Sequence, residues 1–479
     1  MTLKDQQTAP KTPFTLHSPA GELHCLDVLR FLPGKRIVLR ATLNDQNVIA
    51  KCFYGSRAAR DRLRELRGIQ GFQRANVATP ELIAEGCADD KHFVITRELE
   101  GAISFDKYWQ QSLTDDSRRY YLTKIATIIG HLHTTGIEQK DFHLDNLLLL
   151  DGQLYLIDGG CVEVVNSPLS SAEAINNIAL FQAVLFPKYD RFLPDVWQAY
   201  NQAAPKLAES STLTDFSRTV QKQRKWRERF VQKALRNCTR FRVEKSWHHF
   251  LAIDKALDTP ALRALLNDPE QAIANGKVIK KGTTNTVAIV TLANGEQVLL
   301  KRFQSTKNIA HRYLRGLRES RARTCWLNGF LLEMLGIATP QPYALLEQRF
   351  GPWITCSYVI NRYHQPAQGS PSQAMDWFMR SPLPEGYEQI AEQIGELLGS
   401  LQRALIYHGD LKGNNILLVD GQPMLIDLDA MTSYQNRSKF REANKKDINR
   451  FAKNWVALPE AAAVFAPIIE KLNTNRDTL

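Results

Sequence analysis

The feature that most constrains this chain is that it repeats itself. Residues 146–158 read NLLLLDGQLYLID and residues 415–427 read NILLVDGQPMLID, identical at nine of thirteen positions at an offset of 269 residues. An apolar run, Asp-Gly and a second apolar run predict a β-hairpin in each copy. Asp141 and Asp410 stand five residues before Asn146 and Asn415, and Asp158 and Asp427 close the two hairpins. An apolar hairpin recurs by chance easily. An Asp-x4-Asn loop, hairpin and closing Asp recurring in register does not.

The repeat extends upstream. Residues 36–53 and 277–303 both read as short strands joined by polar turns, ending in VIAKCF and VLLKRF, so that Lys51 and Lys301 occupy matching places. An Arg-rich helical stretch follows each lysine, and then NVATPELIAEG or GIATPQPYALLE, which share an Ala-Thr-Pro turn into an apolar strand. Residues 120–134 and 387–404 carry apolar side chains at i, i+3, i+4 and i+7, the signature of an amphipathic helix leading into the Asp-x4-Asn loop.

A length of 479 residues allows two or three domains, and 44% apolar with 23% charged residues is ordinary for a globular chain. Turn signals at Asp258–Pro260 and Asp268-Pro269 place a boundary near 265. The expected domains are 1–265, with a basic helical part at about 171–260, and 266–479. Residues 218–245 hold eleven Lys/Arg against two Glu, with Trp226, Phe230 and Phe241 interleaved, and a second basic stretch covers 302–323. Such runs are as often a solvated helix face as a binding surface. The net charge of +11 favours anionic partners, whether phosphate, lipid or nucleic acid. The first nineteen residues lack an apolar core of the kind a secretory signal needs, and no run reaches the length of a membrane span. Seven scattered cysteines without a CxxC pair indicate neither a zinc site nor a disulfide framework, and a reducing cytoplasm is the simplest expectation.

Phosphoryl transfer from ATP requires the phosphates held, a divalent metal fixed and an acceptor hydroxyl oriented. The repeated residues supply those parts. Lys51 and Lys301, on strands, suit the α- and β-phosphates. Asp141 and Asp410, in loops, suit the proton of an acceptor hydroxyl. Asn146, Asn415, Asp158 and Asp427 are oxygen ligands suited to Mg2+, and Mn2+ takes the same set. They have plainer readings one by one: an edge-strand lysine, a turn Asp or Asn. Their recurrence in one order argues for the chemistry.

With these residues the chain resembles the protein-kinase-like superfamily, and more narrowly the bacterial lipopolysaccharide core kinases, which phosphorylate heptose or 3-deoxy-octulosonate (Kdo) sugars. The resemblance covers almost the whole chain as two tandem kinase-like domains. It implies an α+β fold in which each domain has a β-rich N-lobe and a helical C-lobe, with ATP bound between the lobes. It gives Lys51 and Lys301 the role of phosphate-binding lysine and Asp141 and Asp410 that of catalytic-loop aspartate. Asn146, Asn415, Asp158 and Asp427 become metal ligands. Lys412, in the sequence His408-Gly-Asp410-Leu-Lys412, would contact the transferred phosphate, and Glu65 would pair with Lys51.

Both copies depart from the pattern. In the first, Gln139 stands where the loop His is expected and His143 replaces Lys412. The metal-binding triplets are Asp158-Gly-Gly160 and Asp427-Leu-Asp429, and there is no GxGxxG loop: the second copy offers Gly282 to Asn285, the first Pro33-Gly34. Anchoring the register on the two Ala-Thr-Pro turns puts Cys325 at the Glu65 position, so the second copy needs a substitute, or Glu319 in a shifted register. Asp447 in the second copy aligns with Asn177 in the first; Asp429 and Asp447 read as structural.

Three function classes remain. The first is an ATP-dependent kinase for a lipopolysaccharide inner-core sugar, cytoplasmic or peripheral at the inner face of the cytoplasmic membrane, where an anionic surface would attract the basic chain. The second is a kinase for another small-molecule or protein acceptor. The third is a partly non-catalytic scaffold. Nucleic acid is set aside because no RNA- or DNA-binding motif accompanies the basic stretches. The second copy, with the more regular loop, is the expected catalyst.

Overall fold

Period-two patterning in the first repeat produces its sheet. In the strand Arg36–Leu43 the buried side chains Ile37, Leu39, Ala41 and Leu43 alternate with outward ones, as a half-buried strand requires. A computed structural model describes residues 6–165, 167–282, 284–304, 319–365 and 373–478. The chain divides into two units, the first comprising 1–184 and 191–223, the second 185–190 and 224–479.

In the first unit, strands Phe14–Ser18, Gly21–Leu32, Arg36–Leu43, Gln46–Phe53, Lys91–Arg97 and Leu82–Ala88 lie in that spatial order, each antiparallel to its neighbour. Lys51 sits on the strand Gln46–Phe53, opposite Val38 on one side and Val94 on the other. A helical lobe follows. Its helix Asp115–Thr134 is capped by Thr114, whose hydroxyl accepts from the Ser117 amide at 3.2 Å, and packs against the helix Leu193–Ala203. The contact is close at Gly130, where a Cβ would lie 2.6 Å from that of Ala203.

The second unit builds a seven-stranded sheet in the order Phe241–Lys245, His249–Asp254, Pro342–Phe350, Trp353–Arg362, Gln297–Gln304, Asn285–Thr291, Lys277–Lys281. Its helical lobe centres on Tyr387–Arg403, packed against Pro459–Thr478. Trp455 stacks on Phe465 at 4.4 Å, with Phe378 and Phe451 edge-on to both rings. Both units therefore show the β-rich N-terminal lobe and helical C-terminal lobe expected.

One expectation is corrected. Residues 171–260 are helical only in part, because 241–254 forms two strands of the second unit's sheet, and 224–265 belongs to that unit. Phe241 and Val243 face the core while Arg242 and Glu244 do not, so a strand alternation lay under the charge run. Part of the basic stretch is also consumed internally. Buried Arg224 grips both oxygens of Asp190 at 2.7 Å, Lys225 holds Glu228 at 2.8 Å, and Arg240 pairs with Asp254 at 2.8 Å and Glu333 at 2.6 Å. Of the second basic stretch, 305–318 lies outside the described residues, as does Thr283 in the loop between Gly282 and Asn285. No helix among the described residues is long and apolar enough to cross a membrane.

Candidate active sites

The hairpins explain why the repeat needs its spacing. Leu147–Leu150 pairs with Gln153–Leu156, and Ile416–Val419 with Gln422–Leu425. The turns place Asp151, Gly152, Asp420 and Gly421 at positive φ, the type I′ geometry that Asp-Gly favours. The residue after each hairpin then closes onto the loop asparagine: Ile157 N donates to Asn146 O at 2.9 Å, and Ile426 N to Asn415 O at 3.0 Å. Asp158 and Asp427 follow immediately, at φ 66° and 64°. The Ala-Thr-Pro turns have a matching purpose, since the Ala78 and Ala338 carbonyls accept from Leu156 N and Leu425 N at 2.8 and 2.9 Å.

In the first unit Lys51 reaches two carboxylates, Glu65 at 2.5 Å and Asp158 at 3.1 Å. Burial disfavours charge on Lys51, but both carboxylates outweigh it and raise its pKa; the same attraction lowers that of Asp158 against its own burial. Glu65, from the helix Ala58–Arg74, spends its other oxygen on the Gly160 amide at 2.9 Å. Glycine permits that approach, because a Cβ on Gly68 would lie 2.1 Å from the Gly159 carbonyl oxygen. In the loop, Asn146 Nδ2 donates to the Asp141 carbonyl at 2.8 Å and His143 Nε2 lies 2.8 Å from Asp141 Oδ1. Among the described residues buried Gln139 has no partner for either side-chain polar atom, while its backbone carbonyl accepts from Asn177 Nδ2 at 2.8 Å. Asn177 Oδ1 in turn meets His133 Nε2 at 3.0 Å, and His133 Nδ1 meets the Tyr200 hydroxyl at 2.9 Å. Burial pulls the His133 pKa down to about 4, so the ring is neutral, donating to Asn177 and accepting from Tyr200.

In the second unit Lys301 pairs with Asp427, and Asp429 Oδ1 lies 3.9 Å away. Asp427 is held at about 2, because Lys301 outweighs the penalty of burial. Asp429, buried and beside Asp427, is shifted upward. Cys325 is buried in the helix Arg321–Met334 at the Glu65 position, while Glu319 lies exposed ahead of the N-cap Ser320. Asn328, at the Gly68 position, donates to the Leu428 and Met431 carbonyls at 2.9 and 3.1 Å, so a side chain here does what close packing does in the first unit.

The second Asp-x4-Asn loop is more heavily braced. Asp410 Oδ2 lies 2.8 Å from Lys412 Nζ and accepts from Asn415 Nδ2 at 3.1 Å, and Oδ1 accepts from Arg450 Nη1 at 2.8 Å. Burial opposes its ionisation, but this set, led by Lys412, lowers its pKa. Asp447 accepts from the His408 and Gly409 amides at 2.7 and 3.1 Å, while burial raises its own pKa to about 6. His408 Nε2 donates to the Ile426 carbonyl at 3.0 Å, tying loop to hairpin. In both loops the asparagine Nδ2 is committed to the aspartate carbonyl, at 2.8 Å, so that Oδ1 is the atom that could face a metal. Asn Oδ1 with Asp carboxylate oxygens is a donor set that fits Mg2+ or Mn2+. A cleft of about 460 Å³ is lined by Val287, Leu299 and Val359 from the sheet and by Lys301, Lys412, Asn415 and Asp427, combining an apolar shelf for a base with polar groups for phosphates.

The model of the Lipopolysaccharide kinase (Kdo/WaaP) family matches residues 49–159 and 271–465, roughly two thirds of the chain. The chain belongs to this family. Each matched segment contains one complete set of lysine, Asp-x4-Asn loop and closing aspartate. As a lipopolysaccharide kinase family member it is an ATP-dependent phosphotransferase. No curated protein matches it in sequence. Among solved structures, one of WaaP in complex with acyl carrier protein is 18% identical, with a TM-score of 0.32, over 43% of this chain and 87% of that one. A point mutant of the PknI kinase domain from Mycobacterium tuberculosis is 16% identical, with a TM-score of 0.30, over 45% of this chain and 99% of its own.

Within this kinase family member, sequence reasoning missed two site residues of the second unit. Arg450 braces Asp410 from the helix Arg437–Lys453, and Leu180 holds its place in the first copy; that difference was the available signal. Asp429 approaches Lys301, and its signal was the missing helix glutamate.

Proposed function

We propose that the chain transfers the γ-phosphate of ATP to a sugar hydroxyl of the lipopolysaccharide inner core, and that the second unit carries the transfer. The observation that supports this reading is the set of groups around Asp410, held by Lys412, Arg450 and Asn415 beside a cleft lined by Lys301 and Asp427. The acceptor oxygen attacks the γ-phosphorus, the bond to the β-bridging oxygen breaks, and the acceptor's proton passes to Asp410 as ADP leaves. Lys412 offsets charge on the transferred group and Lys301 holds the α- and β-phosphates. Asn415 and Asp427 would hold a divalent cation, which would neutralise charge on the phosphate oxygens.

The first unit keeps Lys51, Glu65, Asp141, Asn146 and Asp158 but has His143 and Leu180 where the second has Lys412 and Arg450. With His143 seated on Asp141, we read it as a nucleotide site of slower transfer, or one serving a different hydroxyl. The proposed acceptor is anionic and membrane-held, so the reading has the protein work at the inner face of the cytoplasmic membrane. The test is incubation with ATP, Mg2+ and under-phosphorylated lipopolysaccharide core, with mass spectrometry of the product. A phosphomonoester on heptose or Kdo is expected. Phosphate released only to water, or found only on protein, would overturn the sugar acceptor.

A further inference from the structure

The two units build the environment of their lysines from different carboxylates. In the first, Lys51 is held by Glu65 from the helix and Asp158 from the loop. The loop position two residues beyond Asp158 is Gly160, and a Cβ there would come within 2.8 Å of Glu65 Oε2. A side chain at that loop position and a glutamate on the helix compete for one space. In the second unit the helix position carries Cys325, which is short, and the loop position carries Asp429.

A third position changes with these two. The register that equates Glu65 with Cys325 equates Asp61 with Arg321. Arg321 Nε donates to Asp429 Oδ2 at 2.6 Å, and the Asp429 side chain is only 6% exposed. Two carboxylates two residues apart on one half-buried loop repel each other, and one lysine does not neutralise both. Arg321 supplies the second cation. In the first unit the carboxylates arrive from separate elements, no second cation is needed, and the position is an aspartate.

We propose that Asp429 is the positioning residue for Lys301, doing from the metal-binding loop what Glu65 does for Lys51 from the helix, with Arg321 as its counter-charge. The inference rests on reading Lys301 as the phosphate-binding lysine. Its consequence is that the alignment of Lys301 depends on the loop and on one arginine at the start of the helix, and not on a helix side chain reaching into the site.

The experiment uses the full chain with Asp141→Asn, so that transfer reports the second unit, and measures ATP affinity, the KM for ATP and kcat. Lys301→Ala, Asp429→Gly, Asp429→Asn, Cys325→Glu and the pair Cys325→Glu with Asp429→Gly are compared. Asp429→Gly should weaken ATP binding about tenfold, chiefly in KM, by leaving Lys301 short of a carboxylate. Asp429→Asn, which keeps the volume and removes the charge, should do the same and reports even if the glycine variant misfolds. The pair, which recreates the first unit's arrangement, should recover most of the loss, whereas Cys325→Glu alone should not improve on wild type. Loss without recovery in the pair would make Asp429 merely structural and overturn the proposal. So would normal ATP affinity in both Asp429 variants when Lys301→Ala has lost it. Normal ATP affinity in Lys301→Ala would overturn the reading of the lysine itself.

Discussion

Arg450 Nη1 donates to Asp410 Oδ1 at 2.8 Å and to the Gly409 carbonyl at 2.9 Å, so one guanidinium holds both the loop carboxylate and the backbone before it. Replacing it with the first unit's residue, Arg450→Leu, should lower kcat about tenfold to a hundredfold, because Asp410 loses its fixed orientation. Thermal stability should change little, since the contact is half exposed. Steady-state transfer kinetics check this, and an unchanged kcat would remove Arg450 from the site.

Gly68 allows the helix Ala58–Arg74 to touch the loop at Gly159. Gly68→Ala should destabilise the first unit by about 1–3 kcal/mol despite the better helix propensity of alanine. It should also separate Glu65 from Gly160 and weaken nucleotide binding there. Differential scanning calorimetry with and without nucleotide reads both effects; a more stable variant would contradict the close packing.

His133 sets a pH dependence for the first unit. Its folded pKa, about 4, lies below the ordinary histidine value of 6.5, so the unfolded chain takes up the proton first as pH falls. Stability is therefore full above about pH 6.5 and declines as pH drops toward 4, by up to about 3 kcal/mol. His133→Gln, which retains hydrogen-bonding capacity without titrating, should flatten that decline. Equal slopes for the two proteins between pH 7 and 4.5 would place the titration elsewhere.

Much of the site was legible because its parts are local in sequence. The hairpin, its Asp-Gly turn and the closing aspartate form one continuous segment, so Asp141, Asn146 and Asp158, with Asp410, Asn415 and Asp427, could be located by spacing alone. Lys51 and Lys301 were found from strand context, and the structure brings each beside its closing aspartate. What escaped lies on separate elements. Arg450 reaches Asp410 from a helix forty residues on, and only its replacement by Leu180 in the first copy marks it. The strands Phe241–Lys245 and His249–Asp254 were hidden because a dense run of Lys and Arg drew attention to charge and away from the alternation of Phe241 and Val243. Several of those cations turn out to be internal ion-pair partners, as Arg224 is to Asp190.

A net charge of +11 should still draw the protein to anionic membranes. Sedimentation with phosphatidylglycerol liposomes is expected at low salt and should fade as ionic strength rises and the Debye length shrinks. Equal recovery with neutral and anionic liposomes would contradict electrostatic attachment.

The central claim, that the second unit transfers phosphate to a core sugar, is tested most directly with labelled γ-phosphate and under-phosphorylated lipopolysaccharide core. Wild type, Asp141→Asn, Asp410→Asn and the double variant are run together with Mg2+. Asp410→Asn should lose most of the transfer, on the order of a hundredfold or more, while its fold and ATP binding persist; Asp141→Asn should retain most of it. Wild-type transfer in Asp410→Asn, with loss in Asp141→Asn, would move the catalyst to the first unit and contradict the account.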